Sequence, residues 1–354
     1  MGATPPRRRL VADLLTVLAL VALFWLLWVL RSLLILAFGA IVLAVVLRVI
    51  AQPLRRRLRL PDRAALLAAI LIVTAVFAVA FWMFGQEVAR QASTLRESVP
   101  AAWQAIQQRL DTWGLGEAVR QALPSLEGGG QSVVSSMTRM VVSFTSALAD
   151  IVLVIFGAIY LAADPELYRR GVAKLVPERA RPALLEALED CYGALRLWLL
   201  GRVTTMLLVG TLTGVGLWAI GMQAPLALGV TAGILDFVPF VGPIVAAIPA
   251  ILLALATSPT MALWVVLLYL AAQQLEGNVI TPLIQKRAVE LPPALLLFAL
   301  VGFGLLFGAI GVLLAEPLTV VVYVLVKRLY VRGALQTPTS IPGEQATERQ
   351  APLA

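Results

Sequence analysis

Histidine is absent from this 354-residue chain, and cysteine occurs once, at Cys191. Without histidine, HExxH zinc proteolysis and serine/histidine intramembrane proteolysis are excluded. A lone cysteine excludes an intrachain disulfide framework, an all-cysteine zinc site and a cysteine-ligated iron–sulfur cluster. There is no GxxxxGK[ST] run for a Walker-type ATP site, and no GxGD run of the intramembrane aspartyl kind. No cofactor, no metal site and no enzymatic activity are expected. Charge is scarce too: 14% of residues are charged, against about 25% in a soluble domain.

Apolar residues fill the space left, at 60% of the chain with a mean hydropathy of +0.91. No single soluble core absorbs that excess, so the expected class is an all-α polytopic membrane protein. The formal net charge is +8, carried by 25 Arg and 3 Lys against 20 acids. These cations bracket apolar runs, which is the pattern of membrane topology signals. The bilayer is therefore the expected partner, and nucleic acid is not.

Residues 1–85 read as an N-terminal three-span segment. The spans are Leu10–Leu30, Leu33–Leu47 and Ala64–Phe84. Arg7-Arg8-Arg9 resembles the basic region of a signal peptide, but no small-residue cleavage site follows, and the first span is read as retained. Between spans two and three, Gln52–Arg63 holds five Arg, including Arg55, Arg56 and Arg57. That marks a cytoplasmic loop, with anionic-lipid contact as a secondary role. Residues 86–139 form an insert without positive bias, expected outside the cytoplasm. Its Leu95, Val99, Trp103, Ile106, Leu110 and Trp113 make one helical stripe, for the membrane surface or for a subunit interface. Span four occupies residues 140–163. Residues 164–202 are expected as a cytoplasmic amphipathic segment lying along the inner surface before span five (Val203–Ile220). Cys191 sits on its apolar face.

Residues 203–332 form the C-terminal core, and two of its apolar stretches are too long. Leu226–Ala256 has 31 residues, broken by Pro239, Gly242-Pro243 and Pro249. Leu291–Val326 has 36, broken by Gly302, Gly304, Gly308, Gly311 and Pro317. One span needs about 20 residues. Helical hairpins that enter and leave on one side fit these lengths, with irregular tips sheltered by protein or a cavity. With the N-terminus inside, a first hairpin returning outside lets Thr260–Gln274 descend and places Lys286-Arg287 inside, as the charge rule prefers. A second hairpin then returns inside, at Lys327-Arg328. The expectation is about eight membrane segments: six full spans plus two opposed broken or re-entrant hairpins. Both termini would be cytoplasmic. Residues 333–354 are polar and expected to be disordered.

Three blocks carry a resemblance: Leu235-Asp236-Phe237-Val238-Pro239-Phe240-Val241-Gly242-Pro243-Ile244, Gln273-Gln274-Leu275-Glu276-Gly277-Asn278-Val279-Ile280-Thr281-Pro282, and Phe307-Gly308-Ala309-Ile310-Gly311-Val312-Leu313-Leu314-Ala315-Glu316-Pro317-Leu318. In this order and spacing, they make the chain resemble the autoinducer-2 exporter family of prokaryotic membrane proteins. Members are described as permeases, some linked to export of autoinducer-2 and others to sodium/proton antiport. The resemblance implies a multi-span inner-membrane protein and a homo-oligomer, with a pentamer as one candidate. Two departures stand out. The family usually has a small or apolar residue where Glu316 stands, and a glutamine where Arg202 follows Gly201.

An ionisable residue inside a span costs at least about 2.5–3.5 kcal/mol on insertion scales, and it usually faces a cavity or a partner. Asp150, Asp236, Glu276 and Glu316 meet that description. Asp236 and Glu316 are the favoured pair: opposed hairpin tips would let two carboxylates bind a cation or share a proton. The structural alternative is that each acid caps a helix or pairs with Arg202 or Arg48. Gln274 and Asn278, with Gln273, add neutral polar groups near Glu276, for a solute or for freed backbone. Gly242 and Pro243 permit a sharp turn whose carbonyls could face a cation. Pro239, Pro249, Pro282 and Pro317, with Gly308 and Gly311, set breaks and bends. The leading expectation is a transporter that couples efflux of a small polar metabolite or a cation to a proton or sodium gradient. A passive oligomeric channel and a non-transport membrane scaffold are the alternatives.

Overall fold

The structure is a computed structural model and describes residues 6–79, 82, 148–281, 283 and 291–342. The insert at 86–139, its apolar stripe, Pro282 and Lys286-Arg287 lie outside the described residues. Every regular element among the described residues is helical. In chain order these are α1 (Pro6–Val29), α2 (Arg31–Leu58), α3 (Asp62–Val79), α4 (Leu148–Ala163), α5 (Pro165–Lys174), α6 (Arg181–Ala219), α7 (Pro225–Leu235), α8 (Val241–Thr257), α9 (Pro259–Leu275) and α10 (Pro293–Leu325). Among the described residues, five helices are long and apolar enough to cross a membrane, or six if α4 and α5, bent by 91°, count as one span.

Small side chains set the closest contacts. Ala40, Ala44 and Ala51 of α2 bury against Ala65 and Ala69 of α3 and Ala158 and Ala162 of α4. Arg48 completes that corner, donating from Nε to the Ala162 carbonyl at 2.7 Å, one of the last acceptors of α4. Just beyond, Asp164 caps α5, its Oδ1 accepting from the Leu167 N–H at 3.1 Å. The expected arginine loop is shorter than its sequence suggests. α2 runs through Pro53 to Leu58, so Arg55, Arg56 and Arg57 form its last turn, and Arg55 pairs with Asp62 at 2.7 Å across the real turn.

The boundary expected at Arg202 is not a break. The amphipathic segment from Arg181 and span five are one 39-residue helix, α6. After Pro182 nothing in that stretch interrupts the backbone hydrogen-bond ladder, because its remaining breakers are glycines, which a helix tolerates. The polar half of α6 is anchored by Arg328, which pairs with Glu186 and lies 3.4 Å from Asp190.

Both long stretches fold back on themselves. α7 ends at Leu235, the chain turns through 236–240, and α8 starts at Val241. Gly242 lies so close to the end of α7 that a Cβ there would be 1.9 Å from the Leu235 carbonyl oxygen. Phe240 takes φ +64° at this tip, a region few bulky residues occupy. In α10 the break is Gly308, at φ +66° and ψ −144°. Beyond it, a Cβ on Gly311 would stand 2.0 Å from the Phe303 carbonyl oxygen, eight residues back. A straight helix never brings such residues together, so α10 is two arms joined by a sharp bend.

The first hairpin leans on α6 through two glycine pairs spaced four apart. A Cβ on Gly229 would be 2.6 Å from Gly214 Cα, and one on Gly233 would be 2.7 Å from the Met206 carbonyl oxygen. Backbone-to-backbone approach of this kind is how apolar helices associate when lipid is no poorer a solvent than their own side chains. The second arm of α10 packs Leu314, Val320 and Val324 against Ile35, Val42 and Val45 of α2 and Leu195 and Leu199 of α6. Cys191 is buried in the same cluster, as is Ile341. Ile341 belongs to the segment expected as a disordered tail; its first part instead folds back, held by Lys327 Nζ to the Ser340 carbonyl and Arg332 to the Thr339 carbonyl. Residues 343–354 lie outside the described residues.

The glycine contacts yield a test. Gly229→Ala should destabilise the protein by about 1–3 kcal/mol, since only backbone can give way. Gly193→Ala, with nothing within 4 Å of the new methyl, should be neutral or stabilising by about 0.5–1 kcal/mol. Thermal unfolding of the purified variants in detergent measures both.

Candidate functional site

Arg202 lies in the middle of α6, its side chain only 9% exposed. Three carboxylates surround it, each from a different element. Asp236 closes the C-terminus of α7 at the first hairpin's tip. Glu276 opens the π-helical turn Glu276–Ile280 that follows α9. Glu316 precedes Pro317 in the second arm of α10. Arg202 Nη2 is 3.8 Å from Asp236 Oδ1, Nη1 is 3.9 Å from Glu276 Oε1, and Nε is 3.8 Å from Glu316 Oε2. Each guanidinium nitrogen thus faces its own acid.

Local chain chemistry explains how the acids arrive there. α7 can end at Asp236 because the tip turn is tight, which only Gly242 allows. Glu316 reaches Arg202 because the bend at Gly308 returns the second arm toward α6. Glu276 is the C-cap of α9 and the first residue of the π-helical turn, and it is buried there; such turns often mark functional positions.

These ion pairs are longer than hydrogen bonds. Both oxygens of Asp236, Oε2 of Glu316, and Nε and Nη2 of Arg202 are buried without a hydrogen bond. Glu276 does have one, from Gln273 Nε2 to its Oε2 at 3.2 Å. Trp198, one helical turn before Arg202, meets Phe237 edge-on at 5.9 Å and closes the apolar wall beside Asp236. With all three acids ionised the cluster carries one positive and three negative charges, a net −2. Buried charge left uncompensated is expensive, so three ionised acids around a single guanidinium are a costly arrangement.

Of the residues singled out from the sequence, Asp236, Glu276 and Glu316 come together. Asp150 does not: it lies in the first turn of α4, partly exposed. Gln274 and Asn278 hydrogen-bond one another at 2.9 Å on an exposed face. Pro239, Gly242 and Pro243 shape the first tip, Pro249 lies within α8, and Gly308, Gly311 and Pro317 shape the second hairpin. Arg202, expected only as a possible structural partner of the acids, stands at their centre. Its signal was present in the sequence: a lone arginine inside an otherwise apolar run, between Leu199-Leu200-Gly201 and Val203.

A family model described as AI-2E family transporter matches residues 14–330. YrrI of Bacillus subtilis strain 168, provisionally named a transport protein, is 30% identical over 207 residues, 58% of each chain. YueF of the same organism, named in the same way, is 29% identical over 213 residues, 60% of this chain and 57% of its own. TqsA of Escherichia coli K12, named an AI-2 transport protein, is 25% identical over 290 residues, 79% of this chain and 83% of its own. The matches to the two Bacillus proteins thus span a little over half of those relatives' lengths.

Arg202→Gln leaves three buried carboxylates without their cation and should destabilise by about 3–5 kcal/mol, the usual penalty for breaking a buried ion pair. Arg202→Lys keeps the charge but not the three-edged fork, and should fall between. Denaturant unfolding in micelles measures both.

Proposed function

The chain belongs to the AI-2E transporter family, and from that premise we propose that it works as an ion-gradient-coupled secondary transporter, with the Arg202 cluster as its coupling site. It is a multi-pass membrane protein. The observation that carries the coupling role is the convergence of three buried acids, two of them on the two hairpins, around one guanidinium. The solute is a small polar metabolite, for which autoinducer-2 is one candidate, or a cation, moved out of the cell.

In this reading the two hairpins are re-entrant and enter the inner membrane from opposite sides, giving eight segments with both termini cytoplasmic. Broken helices that meet at depth are a transporter plan. The cluster alternates between an unloaded state at net −2 and a neutral state with two cations bound. The magnitudes suffice. A unit charge pair near 4 Å is worth about 4 kcal/mol at an effective dielectric of about 20. Inverting a two-state equilibrium from about 1:99 to 99:1 takes about 5.5 kcal/mol. Two charge changes therefore reach the scale needed to move the hairpin tips relative to α6. A homo-oligomer accounts for the wide apolar faces, such as Leu305 at 84% exposed, that lipid and neighbouring copies would share.

Asp236→Asn and Glu316→Gln should each abolish gradient-driven movement of autoinducer-2, or of whichever solute in a polar-metabolite panel is carried, in proteoliposomes, while the protein still assembles. Wild-type rates in both variants would remove these acids from the mechanism. Flux that follows voltage but ignores an imposed ion gradient would identify a channel instead.

A further inference from the structure

Resting on that coupling role, we infer that the coupling ion is the proton, and that Arg202 is the specificity-determining residue that keeps sodium out. The argument is geometric. A hard cation needs several oxygens converging at roughly 2.0–2.6 Å. Here the point to which Asp236, Glu276 and Glu316 converge is filled by the guanidinium itself, with one acid on each of three nitrogens at 3.8–3.9 Å. Among the described residues, no three acidic side chains group in a way that could hold a metal ion. A carboxylate needs no partner oxygen to bind a proton. Asp236 is fully buried, and neither of its oxygens is hydrogen-bonded, so it can accept one without displacing anything.

Among the described residues, the charged groups facing this point are few. They are Arg202 from α6, Asp236 from the end of α7, Glu276 from the π-helical turn after α9, and Glu316 from α10; Gln273 and Trp198 are neutral. The guanidinium permanently neutralises one of the three acids. The other two each take a proton from water on one side and return it unchanged on the other, so nothing is oxidised and no bond beyond O–H is made or broken. Arg202 therefore acts as a tethered counter-ion. It occupies the place a metal cation would take and sets the number of protons at two.

The test uses the full-length protein in lipid and two probes, 22Na+ binding and the infrared carboxyl band of protonated acids followed through a pH titration. The wild type should show a carboxyl band that grows on acidification, does not respond to sodium, and weakens in Asp236→Asn and in Glu316→Gln; it should bind no 22Na+ saturably. Arg202→Gln should gain saturable 22Na+ binding, with sodium displacing the carboxyl band. If that variant fails to fold, Arg202→Gln/Glu316→Gln keeps the net charge at −2 and should gain sodium binding through Asp236 and Glu276. Arg202→Lys should remain blind to sodium. Saturable 22Na+ binding by the wild type that Asp236→Asn abolishes would overturn the proton assignment and leave the coupling site standing. A wild type with neither a titrating carboxyl band nor sodium binding would overturn both.

Discussion

A guanidinium cannot lie inside an apolar assembly without acids around it, and the C-terminal core is organised to meet that demand at Arg202. The cost of an isolated buried ion is far larger than the stability of a whole domain. The chain therefore brings a carboxylate to each edge of the fork, from three separate elements. One arrives on the tip of a hairpin, one on the return arm of another, one on a π-helical turn. Removing the arginine would leave these elements repelling one another, so its position constrains how they can pack.

That packing depends on residues with no side chain to speak of. α7 touches α6 backbone to backbone at Gly210, Gly214, Gly229 and Gly233. Gly242 and Gly311 sit where a single methyl would overlap a carbonyl oxygen. Lipid offers apolar side chains as good an environment as a protein interior, so burial alone does not draw helices together in a bilayer. Close dispersion contact and internal satisfaction of polar groups remain as the forces that do. In this core the glycines supply the first, and the Arg202 cluster adds charge attraction between elements while five of its buried polar atoms stay without a hydrogen bond.

Much of this was legible in the sequence, because its causes are local. The two hairpins follow from apolar stretches longer than a span and from the glycines and prolines inside them. Asp236, Glu276 and Glu316 were visible as charges where charge is costly. What was not legible depends on register between distant helices. Nothing in α6 alone says that Arg202 faces three acids, although it could be named as a possible partner. Gln274 and Asn278 neighbour Glu276 in sequence but pair with one another on an exposed face, and Asp150 lies in the first turn of α4, a helix that packs with α2 and α3. The continuity of α6 was hidden by a change of composition at Arg202 that is not a change of backbone. The glycine pairs of α6 and α7 carried a readable four-residue spacing, which the punctuation of the hairpins obscured.

Membership of a transporter family and a buried cluster with excess negative charge bear on the same question from different sides, the first through sequence likeness and the second through electrostatics. Their joint claim is that Arg202 and the hairpin acids act as one energetic unit. A double-mutant cycle between Arg202→Gln and Asp236→Asn, read by unfolding free energy, tests it most directly. The double variant restores the net charge of −2, so the account predicts that it is destabilised by clearly less than the sum of the two single variants. Simple additivity would mean that the two residues do not feel one another, and would contradict it.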